Sequence, residues 1–160
     1  DIKGFGRCVA VKPEKTTAKK ACEACFGLMN MYGLASISTN YRQSVGWNKR
    51  AAKDITFGQT PEVCVLFNAE KVKGFRYKSE YDLKEDKEFA CQLNKAGLQT
   101  ARSMVYYADV PSIGTNKGGL YDRYQRGDDK VSAQRLCLDQ PDAFQMRNDD
   151  CYRKQRGVLR

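Results

Sequence analysis

Hydrophobic positions along the chain recur mainly at the spacing of an α-helix. The first such segment covers residues 17–36, and its apolar side chains, three or four residues apart, are Ala21, Cys25, Leu28, Tyr32 and Ala35. Side chains at that spacing share one face of a helix. Thr16 or Thr17 can cap the first turn through its hydroxyl. We therefore predict a first helix over 17–36.

The middle of the chain predicts a second helix, with a strand as the competing interpretation. Thr60 and Pro61 form a typical helix start, because threonine caps well and proline fits the first helical position. The predicted helix then runs to Gly74. The same stretch holds the apolar run Val63–Phe67, which also suits a short buried strand. We favour the helix.

A longer helix is predicted in the second half. Ser79-Glu80-Tyr81-Asp82 resembles a capping box, in which side chains satisfy the first free amides of a helix. The apolar positions that follow are Leu83, Ala90, Leu93, Ala101, Met104 and Val105. Pro111 cannot continue a helix. We therefore predict a helix over about 80–108.

The other segments are predicted to be an extended arm, loops and short helices. Polar and glycine-rich composition predicts loops over 38–59 and 112–129. Residues 1–15 are predicted to form an extended arm, and short helices are predicted over 130–138 and 141–156. The predicted fold class is thus mostly α, with several helices joined by long polar loops, an extended N-terminal arm and little or no sheet.

An internal similarity suggests a duplication. Ala24-Cys25 is followed by Tyr41 sixteen residues later, and Ala90-Cys91 is followed by Tyr107 at the same distance. Coincidence is the alternative explanation, because two matched pairs are little support for a repeat. The length suits one domain. The prediction is a single domain over 1–160, with two degenerate Cys-helix halves, about 17–75 and 79–157, as a hypothesis.

The chain is basic and poor in aliphatic side chains. Leucine, isoleucine, valine and phenylalanine make up 31 of the 160 residues, and 28 Lys and Arg against 19 Asp and Glu give a net charge of +9. A basic chain attracts an acidic partner. The basic residues form no long run and match no nucleic-acid-binding module. We therefore predict an acidic protein partner rather than nucleic acid, and no membrane span.

The sequence contains no histidine. Ser-His-Asp and Cys-His catalytic arrangements, histidine-liganded metals and imidazole bases are therefore excluded. The sequence also lacks a phosphate-cradling glycine-rich loop. We predict that the protein is not an enzyme, although chemistry based on Lys, Asp or Glu stays open.

Seven cysteines are an odd number, so they cannot all pair with one another. Cys22 and Cys25 form a CxxC motif, but a zinc site would need a second such motif or histidines. Two small apolar residues on a buried helix face would explain this pair equally well. Three disulfides with one leftover thiol would suit a secreted protein. Isolated cysteines would also suit thioether attachment of a cofactor.

Charged residues beside several cysteines suit a linear tetrapyrrole (bilin) held by a thioether bond. Cys137 lies two residues from both Arg135 and Asp139. A carboxylate can accept hydrogen bonds from pyrrole N–H groups, and a cation can pair with a propionate. The candidate cofactor-binding residues are Cys64, Cys91, Cys137, Cys151, Cys8, Asp139 and Arg135.

Three Tyr-, Arg- and Cys-bearing segments resemble the γ-type linker polypeptides of red-algal phycobilisomes, the phycoerythrin γ subunits. These segments are Cys25…Tyr41-Arg42-Gln43, Tyr81…Cys91 and Tyr121-Asp122-Arg123-Tyr124…Cys137. The resemblance implies a basic linker that docks in an acidic phycobiliprotein hexamer. It further implies phycoerythrobilin or phycourobilin on cysteine thioethers for light harvesting. The implied location is the stromal face of the chloroplast thylakoid.

The alternative is a small secreted protein of the effector or toxin type that acts by protein binding. The seven cysteines and the modest aliphatic core support it. The first residue is Asp1 rather than methionine, and we expect a processed mature form on that ground. In this case about three disulfides would stabilise the fold, and Cys22 and Cys25 would bond to different partners.

Overall fold

The computed structural model describes residues 4–9, 12–41, 54–111, 115 and 120–154. In chain order the elements are β1 (Gly4–Val9), β2 (Lys12–Thr16), α1 (Ala18–Met31), β3 (Ser36–Tyr41), β4 (Ile55–Phe57), β5 (Val63–Phe67), α2 (Ala69–Val72), a 3₁₀ turn (Ser79–Tyr81), α3 (Glu85–Lys95), β6 (Thr100–Asp109), α4 (Tyr121–Arg126), α5 (Asp128–Asp139), β7 (Phe144–Arg147) and β8 (Asp150–Arg153).

A mixed sheet with the strand order β2-β1-β6-β3-β5 forms the centre of the described fold, and β4 also pairs with β6. The long strand β6 runs parallel to β3 and antiparallel to β1 and β4. Its first half pairs with β4 and its second half with β1. Residues 103–106 of β6 have no partner on β3, because the register changes from Ser38↔Arg102 to Asn40↔Tyr107.

Helices α1 and α3 lie on opposite faces of the sheet. Cys25 and Met29 of α1 pack in one apolar cluster with Ile37 of β3 and Ala101 of β6. Thr100 precedes Ala101 and therefore points to the other face. There its hydroxyl accepts a hydrogen bond from Asn94 of α3 at 3.2 Å.

The two helices that precede β3 and β6 end in the same way. Leu34 donates its backbone N–H to Met29 at the end of α1, and Leu98 donates to Leu93 at the end of α3, both at 2.9 Å. The residues before these donors are Gly33 and Gly97, with φ of 58° and 78°. A left-handed glycine with this bond is the Schellman motif that ends many helices. Helix α1 and strand β3 are therefore joined through a left-handed glycine that ends the helix, and α3 and β6 are joined in the same way.

The carboxyl-terminal part forms a second layer around α5 and the β7–β8 hairpin. Its apolar cluster combines Leu136 of α5, Phe144 of β7 and Cys151 of β8 with Cys91 of α3. Two residues of α3, Phe89 and Leu93, belong to a third cluster beside the sheet. Helix α3 therefore packs against both layers.

The predicted mostly α fold class is wrong, because the chain forms an α/β fold. The segment predicted as an extended arm forms the β1–β2 hairpin, and the segment predicted as a loop over 38–59 contains β4 and most of β3. Strand β3 escaped prediction because it is polar: Ser36, Ser38 and Asn40 are all buried. Its position between two strands satisfies its backbone groups away from water.

Three predicted helices also contain strands. The strand interpretation of Val63–Phe67 is correct, and the preferred helix is wrong. The helix predicted over 80–108 is α3 followed by β6, separated by the stop at Gly97. The helix predicted over 141–156 is the β7–β8 hairpin. The predictions that hold are the first helix, shortened to Ala18–Met31 with Thr17 as its cap, and the helix over 130–138.

In the described part of the chain, the helices are all too short or too polar to cross a membrane.

Candidate functional site

An open cleft of about 1200 Å³ lies between the sheet and the carboxyl-terminal layer. Five basic, five acidic and five aromatic side chains line it. They are Lys84, Lys87, Arg102, Lys130, Lys154, Glu62, Asp86, Asp129, Asp149, Asp150, Tyr41, Phe57, Tyr124, Phe144 and Tyr152. The cleft can therefore contact a ligand through charge and through flat rings.

Arg102 forms the sheet wall of the cleft. Its guanidinium lies 2.9 Å from a carboxylate oxygen of Glu62 and donates to the backbone carbonyl of Thr60 at 3.0 Å. The Nε of Arg102 is buried and has no hydrogen-bond partner among the described residues. Strand β6 positions Arg102, since Thr56 of β4 and Ser38 of β3 pair with it on either side. This wall of the cleft thus contains the Arg102–Glu62 ion pair, and the Nε–H of Arg102 is a donor that no described residue accepts from.

Two lysines meet one carboxylate on the opposite wall. The Nζ atoms of Lys84 and Lys87 each lie 2.9 Å from a different oxygen of Asp150. Lys87 also donates to the carbonyl of Cys151 at 2.8 Å. Burial opposes the ionisation of Asp150, but the hydrogen bonds from the two lysines outweigh it and hold its pKa below the ordinary value. This ion triad joins the start of α3 to β8.

Asp86 stands beside the triad without a lysine of its own. Burial raises its pKa from 3.8 to about 6, and the nearby carboxylates of Glu62 and Glu85 act in the same direction. Its Oδ1 accepts the backbone N–H of Lys87 at 2.7 Å. Leu83, which also lines the cleft, has a φ of 61°. A bulky residue in the left-handed region is strained, and such strain is concentrated at functional sites.

Tyrosines complete the walls. Burial raises the pKa of Tyr41 and of Tyr124, so both stay protonated at neutral pH. The ammonium of Lys87 lies 5.6 Å from the ring centre of Tyr152, within cation–π range. These rings provide flat surfaces between the charged groups.

The cysteines predicted from the sequence are dispersed rather than gathered at the cleft. Cys151 contributes to the cleft lining, but its side chain is fully buried. Cys91 is buried, and its thiol lies 3.0 Å from the amide oxygen of Gln140. Cys64 and Cys137 are half-buried. Cys8 belongs to β1, and its side chain lies outside the described residues.

Arg135 and Asp139 do not surround the Cys137 thiol. They pair with each other at 3.7 Å on the exposed surface of α5. Residues four apart share a helix face, whereas a residue two positions away points elsewhere. The hydroxyl of Tyr81 also donates to Asp139 at 3.1 Å. Spacing along the sequence therefore overstated the closeness of these charges to Cys137.

Apart from Cys151, the cleft residues were not predicted as site residues, because the lining comes from six separate segments. Lys84, Asp86 and Lys87 were visible only as polar residues of a predicted helix. The hairpin turn Asn148-Asp149 carried a usable signal, since asparagine and aspartate tolerate the left-handed region that tight hairpin turns require. Both residues have positive φ, at 50° and 63°.

Comparison with protein-family models, curated proteins and solved structures finds no match to this chain. Within the described ranges, no group of three or more Cys, Asp or Glu side chains is arranged to hold a metal ion.

Proposed function

We propose that this chain is a non-catalytic docking protein that binds an acidic protein assembly through the face that holds the cleft. The observation that carries the proposal is that a basic stretch of the sequence, residues 42–53, joins two segments that line that cleft. Residues 42–53 contain Arg42, Lys49, Arg50 and Lys53 and no acidic residue. They connect Tyr41 to the segment that contains Phe57, and both of these rings line the cleft.

The distribution of charge supports docking through this segment. The described residues contain 20 basic and 18 acidic side chains, a net charge of +2, whereas the whole chain carries +9. Four of the remaining positive charges lie within 42–53. The described residues are thus nearly neutral, and most of the excess charge that would attract an acidic surface belongs to the remaining residues of the sequence.

Structural use of the charged groups supports a non-catalytic role. Lys84 and Lys87 are engaged with Asp150, and Arg102 is engaged with Glu62. A catalytic lysine must be free to exchange a proton with a substrate, and these three cations instead hold the cleft walls together.

The resemblance to red-algal phycobilisome linkers names a partner to test, the phycoerythrin hexamer. We expect the chain to co-sediment with hexamers at low ionic strength and to dissociate as salt rises, because screening weakens attraction between exposed charges. The double variant Lys49→Ala/Arg50→Ala should bind about tenfold more weakly. The matched control, Lys19→Ala/Lys20→Ala, removes two exposed charges from α1. Equal binding of both variants, or no binding by the wild type, would reject the proposal.

Bilin attachment is a separate part of the proposal. Among the predicted attachment cysteines, the half-buried thiols of Cys64 and Cys137 are better candidates than the buried Cys91 and Cys151, because a tether must reach its thiol. The natural polypeptide would then be coloured, with a mass above 18.1 kDa that reduction does not change. A colourless chain of unmodified mass would remove the chromophore role and leave the docking role intact.

A further inference from the structure

Residues 71–78 form a basic and aromatic segment on the surface of the described fold. They contain four basic residues, two aromatic residues and no acidic residue. The segment begins in the last turn of α2 and leads into the 3₁₀ turn. Its residues do not belong to the lining of the cleft. Its charge and rings therefore need an explanation separate from the cleft.

The fold holds this segment in place from the side of α3. Gln92 donates its side-chain amide to the backbone carbonyl of Arg76 at 2.8 Å. The ammonium of Lys78 lies 3.2 Å from a carboxylate oxygen of Glu88, which is itself buried. A surface segment that is already ordered loses little conformational entropy when a partner binds to it.

Tyr77 presents one face of its ring to solvent. Its other face stacks on Phe89 of α3, with the ring centres 4.5 Å apart and an angle of 22° between the ring planes. Phe89 is buried and also contacts Phe67 edge to face. Because Phe89 covers one face, the 52% exposure of Tyr77 belongs mainly to the opposite face and the ring edge. A tyrosine held in this way is a rigid aromatic surface for a partner.

Two cations close to Tyr77 in the sequence are available to a partner. Lys73 and Arg76 are exposed, and neither side chain pairs with an acid among the described residues. Lys71 and Lys78, in contrast, are engaged within the fold. Tyrosine and arginine are enriched among the residues that dominate protein interfaces. Arginine can also bind a carboxylate through two parallel hydrogen bonds.

We infer that Lys73, Arg76 and Tyr77, here called the Tyr77 patch, form a second contact surface for the acidic protein partner. Tyr77 packs on an apolar side chain of that partner, and the two cations pair with carboxylates around it. The inference rests on the proposed docking function for the class of partner. It adds a contact from the folded part of the chain to the basic segment 42–53.

A protein partner suits the Tyr77 patch better than nucleic acid does. Bases also stack on exposed aromatic rings, but proteins that bind single strands line the path of the backbone with cations. The Tyr77 patch offers two free cations, which match a few carboxylates rather than a row of phosphates. Single-stranded nucleic acid is therefore the competing ligand in the test.

Binding of phycoerythrin hexamers to the full-length chain at several salt concentrations tests the inference. Tyr77→Ala should weaken binding about tenfold and leave its salt dependence unchanged, because the ring makes no ionic contact. Lys73→Ala/Arg76→Ala should weaken binding by a similar factor and reduce the salt dependence. Tyr77→Phe keeps the ring and should bind within about twofold of the wild type. Because Lys73 and Arg76 are exposed, their variant tests the patch independently of folding.

The matched control is Lys19→Ala/Lys20→Ala, which removes the same charge from the exposed surface of α1 and should change binding by less than about twofold. Wild-type affinity in Tyr77→Ala or in Lys73→Ala/Arg76→Ala would overturn the inference and leave the docking function intact. No binding by the wild type would reject the docking function and the inference together. Tighter binding of oligothymidine than of hexamers, lost in Tyr77→Ala, would assign the patch to nucleic acid and also overturn the inference.

Discussion

Ion pairs hold several side chains of the cleft in place. Asp150 takes part in two of them, with Lys84 and with Lys87. Lys84 and Lys87 are mostly buried, with side chains 10% and 16% exposed. Removing the charge of Asp150 would leave two buried cations without a counter-ion. Breaking a buried ion pair on one side costs far more than losing an exposed pair.

We expect Asp150→Asn to lower the free energy of unfolding by about 3 kcal/mol, measured by urea denaturation at pH 7. The adjacent Asp149→Asn is the control. Its partner Lys130 is 55% exposed, so the same chemical change should cost only a small fraction of that loss. The triad's contribution to the free energy of unfolding should be complete above pH 4. It should fall on acidification, because the pKa of Asp150 is lowered in the folded state. Equal losses in the two variants would contradict this account.

Asp86 should behave in the opposite way with pH. Its pKa of about 6 in the folded chain exceeds the ordinary 3.8, so the folded state holds the proton more tightly. The stabilisation of the folded state by the protonated Asp86 is complete below pH 4 and is lost as pH rises through 6. Asp86→Asn keeps an acceptor for Lys87 but carries no charge. It should therefore gain about 2 kcal/mol of stability over the wild type at pH 7.5 and little at pH 4. A gain independent of pH would argue against buried charge as the cause.

At the scale of the elements, glycine stops decide where helices give way to strands. Gly97 has a φ of 78° and lies where α3 ends and the chain turns into β6. Gly27 lies inside α1, and a Cβ there would meet no atom within 4 Å. The two glycines therefore offer matched substitutions with opposite expected signs.

Gly97→Ala should destabilise the chain by about 1 kcal/mol, because an alanine resists the left-handed conformation. Gly27→Ala should stabilise it by about 0.5–1 kcal/mol, because alanine loses less backbone entropy in a helix. Chemical denaturation of both variants under one condition provides the comparison. Two changes of the same sign would show that backbone conformation does not set the effect.

The same elements explain what the sequence could predict. Helix α1 was predictable because one capped, amphipathic segment contains all the information needed for it. Strand β6 was not, because Ala101, Met104 and Ala108 also fit a helical spacing, and only the glycine before them marks the change. Strand β3 looks like a loop, since buried serines and asparagine resemble solvent-exposed ones until their partner strands are known.

At the scale of the whole molecule, the cleft depends on long-range assembly. Six segments line it, among them β3, β6, the start of α3 and the β7–β8 hairpin, and no local spacing relates them. Charge could be counted from the sequence, and the structure adds that the described residues are nearly neutral, so most of the basic excess belongs to the other residues. The prediction of an acidic partner came from the total charge, whereas the proposal of a docking face required the fold.

The central position of β6 also has a consequence for how the chain reaches its native state. Gly4 of β1 pairs with Asp109 of β6, so these partners are 105 residues apart along the chain. During synthesis the β1–β2 hairpin must therefore wait, with one edge open, until β6 leaves the ribosome. Such late, non-local pairing slows folding, and an open strand edge can pair with another chain in the meantime. The amino-terminal hairpin is thus the part of the sheet most dependent on completed synthesis.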